Sequence, residues 1–156
     1  MRRAAAATLL VLLAACGGSQ APLAHLVLPG GYQAGLLEPG EPAAFRRQYR
    51  ADAGASAVAL HRVDAPGGGP SIVVVALAWP RSMDHDLAAL AHRLEHDVPI
   101  AGSVPAAIGG HPARVHAADA TFQSVVLAVD GHRGVVVYGG MLADERALAG
   151  AALRSW

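Results

Sequence analysis

The run Ser71-Ile72-Val73-Val74-Val75-Ala76-Leu77-Ala78-Trp79 sets the architecture of the whole chain. Ile72 to Leu77 is unbroken apolar sequence rich in β-branched side chains, and Pro80 ends it. A strand with no polar alternation has to be covered on both faces. Upstream lies Pro66-Gly67-Gly68-Gly69-Pro70, a flexible turn, and before it Ser56 to Asp64 reads as a second strand. The two strands form a hairpin, so the sheet is antiparallel. Two covered faces then require helices on both sides.

The helices are found by working outward. Glu38-Pro39-Gly40-Glu41-Pro42 is rich in turn residues, and Pro42 suits a first helical turn, where a missing N–H has no intrahelical partner. That helix runs to about Asp52. Phe45 and Tyr49 share its buried face, while Arg46 and Arg50 share another, with Arg47 beside them. On the other side of the hairpin, Ser82 can cap a helix to about Asp97. His85 stands where a capping box has Glu, so the box is incomplete. Met83, Leu87, Leu90, Leu94 and Val98 gather on one side of it.

Further on, Gly109-Gly110-His111-Pro112 reads as a turn between strands Val104–Ile108 and Ala113–Ala117. Phe122 to Val129 and Gly134 to Met141 are strands joined through Asp130-Gly131, a good hairpin signal. Asp144 caps a final helix through Trp156, and Asp144 and Glu145 favour its positive end. Gly150 within it costs about 1 kcal/mol against Ala, which points to close packing or a weak helix. Near the start, Ala24 to Leu28 reads as a first strand, ended by Pro29-Gly30-Gly31. The expected fold is α+β, an antiparallel sheet sandwiched by helices.

Residues 1–15 have the three parts of a secretory signal peptide: Arg2-Arg3, the apolar run Ala4 to Leu13, and small Ala14-Ala15. The run is shorter than the ~20 residues a membrane span needs. Leu13-Ala14-Ala15-Cys16 resembles the lipobox of bacterial lipoproteins, matching at each of its four positions. The resemblance implies cleavage before Cys16 and a diacylglycerol thioether on its sulfur, with palmitate-type acyl chains. Two or three chains hold a protein on a membrane, whereas one is marginal. The implied location is the cell envelope, on the extracytoplasmic side. Gly17, rather than an aspartate, implies the outer membrane if the cell is Gram-negative. Residues 16–23 then form the lipidated cysteine and a short flexible tether, and 24–156 a single α+β domain.

Leu28-Pro29-Gly30-Gly31-Tyr32, the central hairpin, the turn Gly110-His111-Pro112-Ala113, and the last hairpin with its helix are similar to PsbP-like lipoproteins of the LpqN and DcrB kind. That resemblance implies a PsbP-like α/β/α sandwich, no common catalytic set, and a role in binding or assembling envelope proteins.

Composition narrows the function classes. The 156-residue chain is charge-balanced, with 12 basic and 12 acidic residues. Two of its arginines leave with the signal, so the remainder is slightly acidic, which argues against nucleic acid. All basic residues are Arg. With Cys16 acylated, no thiol is left for a disulfide, a metal or catalysis. No G-x-S-x-G elbow and no phosphate-cradling glycine loop occurs. No enzyme activity and no cofactor are expected.

Two weaker constellations remain. His85, His92 and His96 lie along one line of the second helix, opposite its leucines. His92 and His96 have a metal-chelating spacing, although the pattern is not HExxH. The alternative is a solvated polar face. Arg46, Arg47 and Arg50 could meet anionic headgroups, or be a solvated face balanced by Glu41 and Asp52. His25, His61, His111, His116 and His132 take surface or edge positions. The leading expectation is a membrane-anchored protein that binds an envelope partner through a sheet edge or a pocket between sheet and helix. The alternatives are a metal-handling lipoprotein and an unrecognised hydrolase.

Overall fold

Ile72–Ala78 lies at the heart of a seven-stranded antiparallel sheet in the computed structural model, which describes residues 26–80, 87–94, 102–119 and 123–155. In chain order the elements are β1 (Gln33–Ala34), α1 (Glu41–Asp52), β2 (Ala57–Asp64), β3 (Ile72–Ala78), α2 (Leu87–Leu94), β4 (Val104–Ile108), β5 (His111–His116), β6 (Val125–Asp130), β7 (Arg133–Tyr138) and α3 (Leu142–Arg154). The strand order is β1-β2-β3-β7-β6-β5-β4, with all neighbours antiparallel. The fold is α+β.

The alternation of side chains along β3 separates two cores. Val73, Val75 and Leu77 point to one face, where Tyr49 and Ala53 from the α1 end, and Leu90, Ala91 and Leu94 of α2, cover them. Ile72, Val74 and Ala76 point to the other, where α3 supplies Leu148, Ala149, Ala152 and Leu153. Both faces are covered, as the unbroken apolar run requires. Phe45 and Tyr49 do share a face, with ring centroids 6.1 Å apart and planes 15° from parallel. Of the second helix, residues 87–94 are described, with Leu90 and Leu94 buried as the periodicity demands. Ser82, His85, Met83 and Val98 lie outside the described residues.

One glycine lets a large side chain in. Trp79 is buried and its Nε1 donates to Ala53 O at 2.8 Å. Its ring crosses Gly134 on β7, where a Cβ would stand 2.7 Å from a ring carbon. Gly150 on α3 faces Ile108 of β4 at ordinary contact distance, 3.5 Å from the position of a Cβ. The nearest atom is the end of the flexible Arg154 side chain at 3.3 Å, so packing alone does not account for the helical glycine.

Several expectations are corrected. Residues 26–28 are not a strand. Instead 26–32 runs beside α3 as a strap. Val27 N–H donates to Ser155 Oγ at 3.0 Å, and Tyr32 OH donates to Asp144 Oδ1. Leu26, Leu28 and Tyr32 pack against the α3-side core. The partner of this apolar stretch is a helix rather than a strand edge. Asp144 is accordingly not the cap of α3. The N-cap is Met141, without a side-chain cap, and Asp144 in the first turn serves Tyr32. The turn before β5 is Gly109-Gly110 alone, both left-handed at φ 59° and 88°, the geometry of a two-residue hairpin. His111 and Pro112 belong to β5. The last two strands are shorter than expected, beginning at Val125 and ending at Tyr138.

Candidate functional site

Four places on this scaffold gather polar or accessible chemistry. The first is the β1–α1 connection. Arg62 of β2 holds both of its ends. Its carbonyl accepts Gly35 N–H at 2.8 Å, and its guanidinium grips the Glu41 carboxylate, with Nε 3.0 Å from Oε1. Glu41 Oε2 in turn accepts Glu38 N–H at 3.1 Å. The guanidinium hydrogen bonds hold the Glu41 carboxyl below its ordinary value, and Glu41 raises Arg62 in return. Between these ends Leu36 is 93% exposed and Leu37 39%.

Arg46, Arg47 and Arg50 follow on α1, all exposed as the periodicity indicates. Arg50 Nη2 approaches Ser56 O at 3.5 Å. Glu41, expected to balance this patch, is committed to Arg62 instead. Among the described residues no ion pair takes in Arg46 or Arg47.

The second place is the first turn of α3, which periodicity alone could have exposed. Glu145, Leu148, Ala149 and Ala152 follow helical spacing, so Glu145 falls on the buried stripe. It is 0% exposed. Its Oε1 accepts Gly140 N–H at 3.1 Å and lies 2.9 Å from Ser124 Oγ, whose single proton can also reach Gly140 O at 3.1 Å. Its Oε2 is buried without a hydrogen-bond partner. Burial pushes the Glu145 carboxyl above the ordinary range, against the hydrogen bonds from Gly140 and Ser124, and the neighbouring Asp144 adds to the rise. Tyr32, bound to Asp144, is raised to about 12 and keeps its proton at any physiological pH. The cluster ties the strap, the β7–α3 loop and the start of β6 together. Ser124 faces a carboxyl and a carbonyl there, which do not make it a nucleophile.

The third place is a shallow cleft of about 250 Å³ between strap and α3, lined by Val27, Leu28, Pro29, Ala151, Arg154 and Ser155. The fourth is the set of histidines. His92 lies on α2, while His85 and His96, like Cys16, lie outside the described residues. His111 Nδ1 stands 3.5 Å from Asp130 Oδ1 across β5 and β6. His116 is not a surface residue: it is 8% exposed, with Nε2 3.6 Å from Asp119 Oδ2. Among the described residues no three His, Cys, Asp or Glu side chains are grouped to hold a metal ion.

The sheet edges are poorly suited to receiving a strand where they are best seen. Residues flanking a two-residue turn exchange hydrogen bonds, so on β4 Ile108, Ala106 and Val104 bond inward and Pro105 and Ala107 face out. Pro105 offers no N–H, a usual way of blunting an edge. The opposite edge strand, β1, is two residues long. Among the described residues no helix is long and apolar enough to cross a membrane. No protein-family model matches the chain, and no curated protein matches it.

Proposed function

We propose that this chain is a lipid-anchored protein of the bacterial cell envelope with a non-catalytic binding or assembly role. The observation that carries the reading is Leu13-Ala14-Ala15-Cys16 at the end of a short apolar run behind Arg2-Arg3. Cleavage before Cys16 and acylation of its thiol place the α+β domain on the extracytoplasmic side. Leu26 already packs against the α3-side core, so at most nine residues, ten Cα-to-Cα steps, separate anchor from domain. Fully extended, that spans no more than ~35 Å, and the domain works close to the membrane.

The layering supports the finer PsbP-like reading: one antiparallel sheet, with α1 and α2 over one face and α3 over the other. An assembly role follows from that likeness. Substituting Cys16→Ser tests the anchor. Metabolic labelling with an alkyne palmitate analogue reports acylation of the wild-type chain, and the variant takes up no label and leaves the membrane fraction. Equal labelling of both chains rules the reading out.

A further inference from the structure

We infer that the Leu36-Leu37 knuckle and the arginines of α1 form the face by which the domain lies on an anionic lipid surface. The inference rests on the anchored reading and adds to it which side of the domain meets the bilayer.

Leu36 is not exposed because its loop is slack. Both ends of the loop are held by one residue, Arg62: its carbonyl binds Gly35 and its guanidinium binds Glu41, which binds Glu38. A Cβ on Gly35 would stand 3.2 Å from Arg62 Cβ and from Asp64 Oδ1, so the chain hugs β2 at this point and turns outward immediately after it. The outcome is a leucine held almost wholly in solvent, Leu36, beside the partly covered Leu37. The helix that follows the loop, α1, carries Arg46, Arg47 and Arg50, all exposed.

Of the acids that could cancel this charge, Glu41 is already neutralised by Arg62, leaving Asp52 at the end of α1 and exposed Glu38 on the loop against three arginines. An apolar side chain exposed on a fixed loop and guanidinium groups on the helix that follows it match the two layers of a lipid interface. The leucines suit the acyl boundary, and the arginines suit the phosphates. Among the described residues the other exposed large apolar side chains are Val27, which shares its cleft with the single Arg154, Val104 on the β4 edge, and Met141 at the start of α3.

The test uses the full chain, purified from membranes and reconstituted into nanodiscs of phosphatidylcholine with or without phosphatidylglycerol. A nitroxide is placed at Leu36→Cys, and at Val104→Cys or Met141→Cys for comparison. Collision with oxygen against a water-soluble relaxer gives depth. The label at position 36 should be lipid-embedded in anionic discs, with the other two in water. Arg46→Glu/Arg47→Glu should lower the embedded fraction by roughly tenfold or more, since each basic side chain near an anionic surface is worth about fivefold. A label at position 36 as water-accessible as that at Val104, or an embedded fraction unmoved by the double charge reversal, overturns the proposal, and so does contact with a protein in place of lipid.

Failure of the anchored reading has a separate sign: the wild-type chain itself takes up nitroxide at Cys16 and stays soluble. The face is then read by adding phosphatidylglycerol vesicles to soluble Leu36→Cys/Cys16→Ser, where an unembedded label again refutes it.

Discussion

Glu145 is the residue whose environment departs furthest from what its type suggests. A carboxyl with no exposure and one unpartnered oxygen holds its proton more tightly folded than unfolded. Its folded-state value is raised, so its contribution to stability is complete below the unfolded value of about 4.3 and is lost as pH rises through the raised one. Chemical denaturation of wild type and Glu145→Gln across pH 4 to 8 isolates this residue. The difference between the two should shift in favour of Gln as pH rises, because Gln keeps an acceptor for Gly140 and never ionises. A pH-independent difference would mean that Glu145 ionises freely in the fold. Gly134 is the opposite case, a position defined by steric exclusion. Gly134→Ala drives a methyl into the Trp79 ring and should cost about 1–3 kcal/mol in an equilibrium melt. An unchanged melt would show the indole free to shift. Neither role was read from the sequence, although helical spacing does place Glu145 on the buried stripe. Glu145 looked like a partner for the helix dipole, and Gly134 like the start of a strand, because both roles depend on a neighbour distant in the chain.

At the scale of elements, the patterns that were legible are those whose cause is local. The β2–β3 hairpin, the Asp130-Gly131 hairpin, the Pro42 helix start and the Leu90–Leu94 stripe are written within a few residues of themselves. The strap is the element that local reading missed. Ala24 to Leu28 reads as a strand, but Val27 bonds Ser155 across 128 positions of sequence. Its second fastening, Tyr32 to Asp144, has a measurable worth. Tyr32→Phe removes a hydrogen bond to a carboxylate in a half-buried setting and should cost about 1 kcal/mol. Amide hydrogen exchange should quicken in 26–32 and in the first turn of α3, with β3 and β7 unchanged. Faster exchange throughout the sheet would contradict the description of the strap as a separable layer. The arginine helix is legible in the same local sense: the period put Arg46, Arg47 and Arg50 outside, but that Glu41 is taken by Arg62 depends on β2 lying alongside.

For the whole molecule, an unbroken apolar strand implied two covered faces, and the sheet with helices on both sides satisfies it. What the domain does was never written in such patterns, because burial, turn chemistry and period report on packing rather than on function. In the proposed function the location rests on the N-terminal sequence and a chemistry of its own, in which small residues and a thiol are read by processing enzymes. The account therefore stands most heavily on Cys16. Intact-mass spectrometry of the chain isolated from its own membranes measures it directly. The expected species begins at Cys16 and carries the mass of a diacylglycerol, with or without a further acyl chain, and Cys16→Ser abolishes it. A membrane-attached chain that retains residues 1–15, or one that starts at Cys16 with a free thiol, would contradict the account.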